Sequence, residues 1–167
     1  MAQDDRSALK TDGLITKGIL LGYAASGVTP SITASGAAGT STTLIKGLQQ
    51  IPDIGGTAET IEVTTFNDHA HTYINGLLNY GDSIDFTCLH DSNQFIAVNG
   101  ITGTVNWIVG LPDGATHASA TDFATIKTVA VFPGEVSAKV NGVGTNEALT
   151  DTISLKPAGT IEFSQLS

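Results

Sequence analysis

The stretch SIDFTCL, residues 83–89, decides the fold class, because polar and apolar residues alternate along it up to the cysteine. In an extended chain, successive side chains point to opposite sides. Three apolar residues therefore face one side and two polar residues the other: Ile84, Phe86 and Cys88 against Asp85 and Thr87. This period of two is typical of a half-buried strand, and Cys88 is expected to be a small core residue.

The same pattern, or a high content of β-branched residues, extends outward in both directions. It predicts strands at residues 14–23, 43–49, 59–66, 104–111, 122–132, 135–140, 149–156 and 160–163. In residues 59–66, Ile61 and Val63 face one side of a strand predicted to be half-buried. Turns are expected at Pro133-Gly134 and Asn141-Gly142.

One helix is expected in this mainly β chain. Residues 91–100, DSNQFIAVNG, begin with Asp91 or Ser92 as the N-cap and end at Gly100, with Phe95 and Val98 spaced for one face. The helix is short and follows the strand of residues 83–89.

The composition fits one domain with few charges. The chain has 167 residues, of which 14% are charged, and 16 acidic residues against 7 Lys and Arg give a net charge of -9. Tight nucleic-acid binding needs clustered positive charge, so this excess of acidic residues argues against such binding. The single cysteine excludes an internal disulfide. The start MAQDDRSALK lacks the apolar segment of a secretory signal, so we expect assembly in a cytoplasm.

The chain is expected to be one domain, residues 14–167, preceded by a flexible N-terminal arm, residues 1–13. Two long loops interrupt the domain, at residues 24–43 and 66–82. The second is rich in Asn, Asp and Gly, yet it carries five large apolar or aromatic residues: Tyr73, Ile74, Leu77, Leu78 and Tyr80. Long loops with apolar content are often functional, so a partner is expected to cover this one.

No motif predicts an enzyme, a cofactor or a metal site. The chain lacks G-x-S-x-G, G-x-x-x-x-G-K and G-x-G-x-x-G. His69 and His71 lie two residues apart beside Asp68, but two histidines without a third ligand at motif spacing are more often exposed loop residues.

Three segments carry a family resemblance: IPDIGGTAETIEVTTFND (51–68), TYINGLLNYGDSIDF (72–86) and WIVGLPDG (107–114). In this order they resemble the major tail tube proteins of siphophages and related prophages of Gram-positive bacteria. The resemblance implies a two-sheet antiparallel β-sandwich or barrel with one short flanking α-helix. It also implies hexameric rings that stack into the phage tail tube, the channel for DNA ejection into the host.

The resemblance also implies roles for residues and partners. The loop at residues 67–82 would reach a neighbouring ring. Glu59, Glu62 and Asp85 are expected to point away from the apolar faces of their strands and are candidates for an acidic lumen that repels DNA. The contacts between rings or subunits would come from Tyr73, Ile74, Leu77, Leu78 and Tyr80. Expected partners are further copies of the chain and the tape-measure, tail-tip and tail terminator proteins, with no membrane anchoring.

Two other classes of protein remain open at this point. One is the tube protein of a contractile tail or a type VI-like injection system, which a neighbouring sheath gene would favour. The other is a monomeric β-sandwich used for capsid decoration or carbohydrate binding, against which the aromatic content of only 6% argues mildly.

Overall fold

The computed structural model describes residues 19–113 and 126–166. The expected N-terminal arm, residues 1–13, lies outside the described residues, as does the start of the strand predicted at 122–132. The elements in chain order are β1 Leu20–Ala24, β2 Thr43–Ile45, β3 Thr57–Glu62, β4 Tyr73–Asn79, β5 Ile84–Leu89, α1 Ser92–Asn99, β6 Val105–Leu111, β7 Thr128–Val140, β8 Thr150–Pro157 and β9 Glu162–Gln165. Within the described residues, the prediction of a mainly β fold with one helix is confirmed.

Seven strands form one antiparallel sheet, which curls until its ends meet. The order is β2-β1-β6-β7-β8-β5, and β9 pairs with the first part of β7. Beyond β2, Leu48 pairs with Cys88 of β5. Two hydrogen bonds flank this pair, from Leu89 N to Gly47 O at 2.8 Å and from Gln49 N to Thr87 O at 2.8 Å. The chain just after β2 thereby closes the sheet into a barrel.

The barrel interior holds the main hydrophobic core. The inward residues predicted for β5 are buried, since Ile84 is 3% exposed and Phe86 and Cys88 are 0% exposed. The largest core side chain is Trp107 of β6, whose Nε1 donates to Gly134 O at 3.3 Å. The buried aromatic group therefore has the hydrogen-bond partner that its polar atom requires.

The loop that connects β1 and β2 covers part of the outer face of the barrel. Ile32 in this loop is 4% exposed and packs with Leu20, Ile108, Ile126 and Val129 in a second core cluster. Hydrogen bonds hold the loop on this face. The Asn106 side-chain amide donates to Val28 O, and Ile126 N donates to Ala34 O. Residues 25–42 contain an isolated bridge between Ile32 and Ala38, and the loop packs against the barrel.

Helix α1 begins and ends where the sequence predicts. The Asp91 side chain accepts from Asn93 N at 2.9 Å and from Gln94 N at 3.1 Å, and Gly100 follows the last turn. Val98 is buried against the barrel core. The Gln94 amide pairs with both backbone groups of Lys46, which ties α1 to the end of β2.

The predicted turn at Pro133-Gly134 is wrong, because β7 continues through both residues from Thr128 to Val140. On one edge of β7, the part before Pro133 pairs with β9. On the same edge, the part from Gly134 onward pairs with β8. Glycine is needed at position 134 because atoms of neighbouring strands approach its backbone closely, not because the chain turns there. A Cβ atom there would lie 3.0 Å from Lys156 O and 3.4 Å from Trp107 Cδ1.

We expect Gly134→Ala to lower the free energy of unfolding by about 1–3 kcal/mol, because the added methyl group overpacks a filled site. Urea unfolding followed by the fluorescence of Trp107, the only tryptophan, measures this loss. Gly142→Ala is the matched control, since a Cβ atom at Gly142 meets nothing within 4 Å. Equal stability of the two variants would contradict the packing argument.

Strands β3 and β4 form a separate two-stranded hairpin, which we call the arm. The predicted loop at 66–82 is therefore wrong for Tyr73–Asn79, which form β4. The arm continues the pair that closes the barrel: Ala58 lies ten residues after Leu48, and its partner Leu78 lies ten residues before Cys88. The two strands pack on each other, and among the described elements neither has a comparable contact with a barrel strand.

The base of the arm contains two glycines in unusual conformations. Gly55 has φ 135° and Gly81 has φ 79°, and each lies two residues beyond Thr57–Asn79, the last pair at the base of the arm. Positive φ is readily available only to glycine. Added Cβ atoms would meet nothing within 4 Å at either position, so the backbone angle, not packing, selects glycine there.

Candidate functional site

The arm exposes large apolar side chains that nothing in residues 19–113 and 126–166 covers. Four of the five residues predicted to make contacts between subunits lie on β4 and are exposed: Tyr73 at 57%, Ile74 at 50%, Leu77 at 86% and Leu78 at 55%. Phe66, between the two strands, is also exposed. Several large exposed apolar side chains on one hairpin mark it as a candidate interaction site.

The fifth residue, Tyr80, belongs to the base of the arm. It is half-buried and packs against the main core of the barrel. A Cβ atom at Gly56 would lie 2.9 Å from its ring, so the chain passes directly over it. Tyr80 therefore anchors the arm to the barrel and is not part of its exposed surface.

The tip half of the arm has an apolar and a polar face. Ile61 pairs with Ile74, and Val63 follows on the same side by the alternation of β3. Both Ile61, at 49%, and Val63, at 39%, are exposed, so the strand is present as β3 but its predicted half-burial is wrong. The opposite face carries the pair Glu62–Tyr73.

A hydrogen-bonded pair lies on the polar face. His71 Nδ1 and Glu62 Oε1 are 2.5 Å apart, and the His71 ring stacks on Tyr73 with 6.3 Å between ring centroids. The hydrogen bond from His71, and then that from Thr64, holds the pKa of the Glu62 carboxyl below its ordinary value. Both side chains of the pair are largely exposed.

We expect His71→Ala to raise the pKa of Glu62 toward that of a free glutamate. A lowered pKa means that the contact is fully present above the ordinary carboxyl pKa and is lost as the pH falls through the lowered value. NMR titration of the Glu62 carboxyl carbon in both proteins measures the change. His69→Ala should leave the titration unaltered, and an unchanged midpoint in His71→Ala would rule out the pairing.

The three acidic residues predicted to line a channel do not come together in the monomer. Glu59 and Glu62 lie on the arm, on opposite faces, and Glu59 shares the side of Ile61, contrary to the prediction that it points away from the apolar face. Asp85 lies on the outer face of the barrel, where it accepts from Ser83 Oγ at 2.9 Å. Its cross-strand neighbours on this face are Ser154 and, beyond it, Ser137.

One hydrogen-bonded pair with a buried carboxylate was missed by sequence reasoning. Asp151 is 2% exposed, and His90 Nδ1 donates to both of its carboxylate oxygens at 2.8 and 2.9 Å. The signal lies in the alternation of β8, where Asp151, Ile153 and Leu155 share the inward side. A carboxylate at an inward position needs a buried partner.

The two histidines that were considered as half of a metal site, His69 and His71, have no third ligand among the described residues. Within residues 19–113 and 126–166, no group of three His, Cys, Asp or Glu side chains could hold a metal ion. Burial, and then the charge of Asp151, raises the pKa of the Cys88 thiol to about 11, which keeps it an unreactive core residue. No helix in this part of the chain is long and apolar enough to cross a membrane.

Comparisons with known proteins identify the family. A family model described as "Phage tail tube, TTP, lambda-like" matches residues 31–166. Among solved structures, the chain is similar to a chain in the cryo-EM structure of the anti-feeding prophage baseplate, six-fold symmetrised. The TM-score is 0.57 at 14% identity, over 90% of this chain and 94% of that chain, which is a likeness of fold. No curated protein matches. Since the family match spans most of the chain, the protein belongs to the lambda-like phage tail tube family and is a structural component of the virion.

Proposed function

We propose that the chain forms hexameric rings that stack into the tail tube, and that DNA passes through the channel of this tube into the host. The arm carries the proposal: a two-stranded hairpin with exposed apolar side chains, in a protein of a tail tube family. The number of six subunits in each ring follows from the resemblance to tail tube proteins.

The arm is suited to joining copies of one chain. Within the described residues, each of its strands pairs only with the other, so two strand edges are open to a further chain. Open edges with apolar side chains must be covered to prevent indiscriminate association, and a symmetric assembly covers them in a defined way. The proposed contacts between rings or subunits involve Tyr73, Ile74, Leu77 and Leu78, with Tyr80 holding the base.

The net charge of -9 favours passage of DNA without specific binding. An acidic wall repels phosphates, whereas clustered Lys and Arg would retain them. Glu59, Glu62 and Asp85 remain candidates for this wall, and assembly would have to bring the arm and the outer face of β5 to the same channel. Tape-measure, tail-tip and tail terminator proteins are the other proposed partners, and no membrane anchoring is part of this function.

Negative-stain electron microscopy of the purified protein over a concentration series, beside light scattering at the same points, tests the proposal. We expect hollow tubes or six-fold rings whose number rises with concentration. A protein that stays monomeric at every concentration, and also in the presence of the tail-tip and tape-measure proteins, would contradict it.

A further inference from the structure

The barrel has two distinct ends, and β5 connects them. The arm leaves the barrel where β5 begins, at Ile84. At the other end of β5, His90 N donates to Leu149 O at 3.0 Å, and α1 begins directly afterwards. Strand β7 also finishes there, since Val140 pairs with Asp151 at the start of β8. The helix and the β7–β8 connection thus lie at the end opposite the arm.

This opposite end carries its own exposed apolar residues, which we call the end patch: Ile96 at 69%, Val140 at 45%, Val143 at 44% and Leu149 at 40% exposure. Fourteen large apolar residues are exposed among those that the structure describes, of which seven lie on the arm and four in the end patch. The remaining three are Val28, Ile51 and Phe163. Exposed apolar surface is therefore concentrated at two opposite ends of one molecule.

We infer that the end patch is the docking site for the arm of a second copy of this chain. Contact between two different patches at opposite ends repeats without limit and builds a column, whereas contact between two arms would stop at a pair. The inference rests on the proposed function, because it names the surface that receives the arm when rings stack. It places α1 and the β7–β8 connection at every junction between rings.

Disulfide trapping tests the inference. Leu77→Cys on the arm and Val143→Cys in the end patch are made in separate proteins, one with a mass tag, mixed under tube-forming conditions and oxidised mildly. Cys88 can stay in place, because it is buried and the pKa of its thiol is about 11. A disulfide requires the two Cα atoms to come within about 7 Å, so it reports direct docking.

We expect the mixed dimer of Leu77→Cys and Val143→Cys to form about tenfold faster than that of Leu77→Cys and Phe163→Cys, because docking raises the effective concentration of the thiols. Phe163 is a matched control, since it is 52% exposed but lies on β9. In addition, Val143→Asp should leave rings intact and remove stacks, as judged by electron microscopy.

The contrary outcomes separate the inference from the proposed function. Tubes in which Leu77→Cys links to itself, or to Phe163→Cys, as readily as to Val143→Cys would overturn the inference and leave the tube in place. Stacked tubes of Val143→Asp would do the same. A wild-type protein that forms neither rings nor tubes would overturn the proposed function and the inference with it.

Discussion

The double variant Leu77→Asp with Leu78→Asp is expected to remain a folded monomer that forms no tubes. Both side chains are exposed in the monomer, at 86% and 55%, and lie on an arm without close packing on the barrel, so their replacement removes no core contact. At an interface, two unpaired carboxylates would have to be desolvated, at a cost of about 3–5 kcal/mol or more. Electron microscopy detects the loss of tubes, and urea unfolding followed by Trp107 fluorescence checks the fold.

The control for this variant adds the same charge to the same strand. Asn75→Asp with Asn79→Asp changes two exposed polar residues of β4, and the new side chain at position 79 keeps the oxygen that accepts from Gly81 N. We expect this variant to form tubes. Normal tubes from Leu77→Asp with Leu78→Asp would remove the arm from its assigned role, and loss of tubes in both variants would point to net charge instead.

His90→Ala is expected to lower the free energy of unfolding by about 3–5 kcal/mol, because it leaves the buried carboxylate of Asp151 without its partner. Asp151 is 2% exposed, and both of its oxygens accept from His90 Nδ1. The pair also ties the end of β5 to the start of β8. Equilibrium urea unfolding at neutral pH gives the loss as a shift of the midpoint.

Two further variants assign this effect to the buried charge. Replacing both partners, as in His90→Ala with Asp151→Leu, should restore much of the lost stability, because no buried charge remains. His71→Ala removes the exposed pair with Glu62 and should leave the unfolding midpoint unchanged. A small effect of His90→Ala, equal to that of His71→Ala, would show that water solvates Asp151 adequately.

The barrel strands could be predicted where the alternation of polar and apolar residues reflects a core formed within the same molecule. Residues 83–89 and 104–111 contain β5 and β6 with their apolar residues inward, and Asp91 caps α1 as expected. The same alternation at Ile61 and Val63 led to a wrong prediction of burial. A periodic pattern identifies an apolar face, but it does not indicate whether the cover comes from the same chain or from another copy.

Nonlocal contacts explain the remaining differences. Strand β4 lies in a stretch rich in Asn and Gly that predicts a loop, but pairing with β3 makes it a strand. Pro133 and Gly134 predict a turn, but Gly134 is selected by the approach of Lys156 and Trp107 from other strands. Asp151 finds its partner 61 residues away, at His90, a distance that local patterns do not span.

The two glycines at the base of the arm have a mechanical consequence for the proposed tube. Gly55 and Gly81 hold positive φ values that other residues rarely adopt, while Tyr80 beside them fixes the base of the arm to the barrel core. The backbone at these two glycines therefore helps to set the direction in which the arm leaves the barrel. In the proposed tube, alanine at either position would strain this base and change the angle at which one layer meets the next.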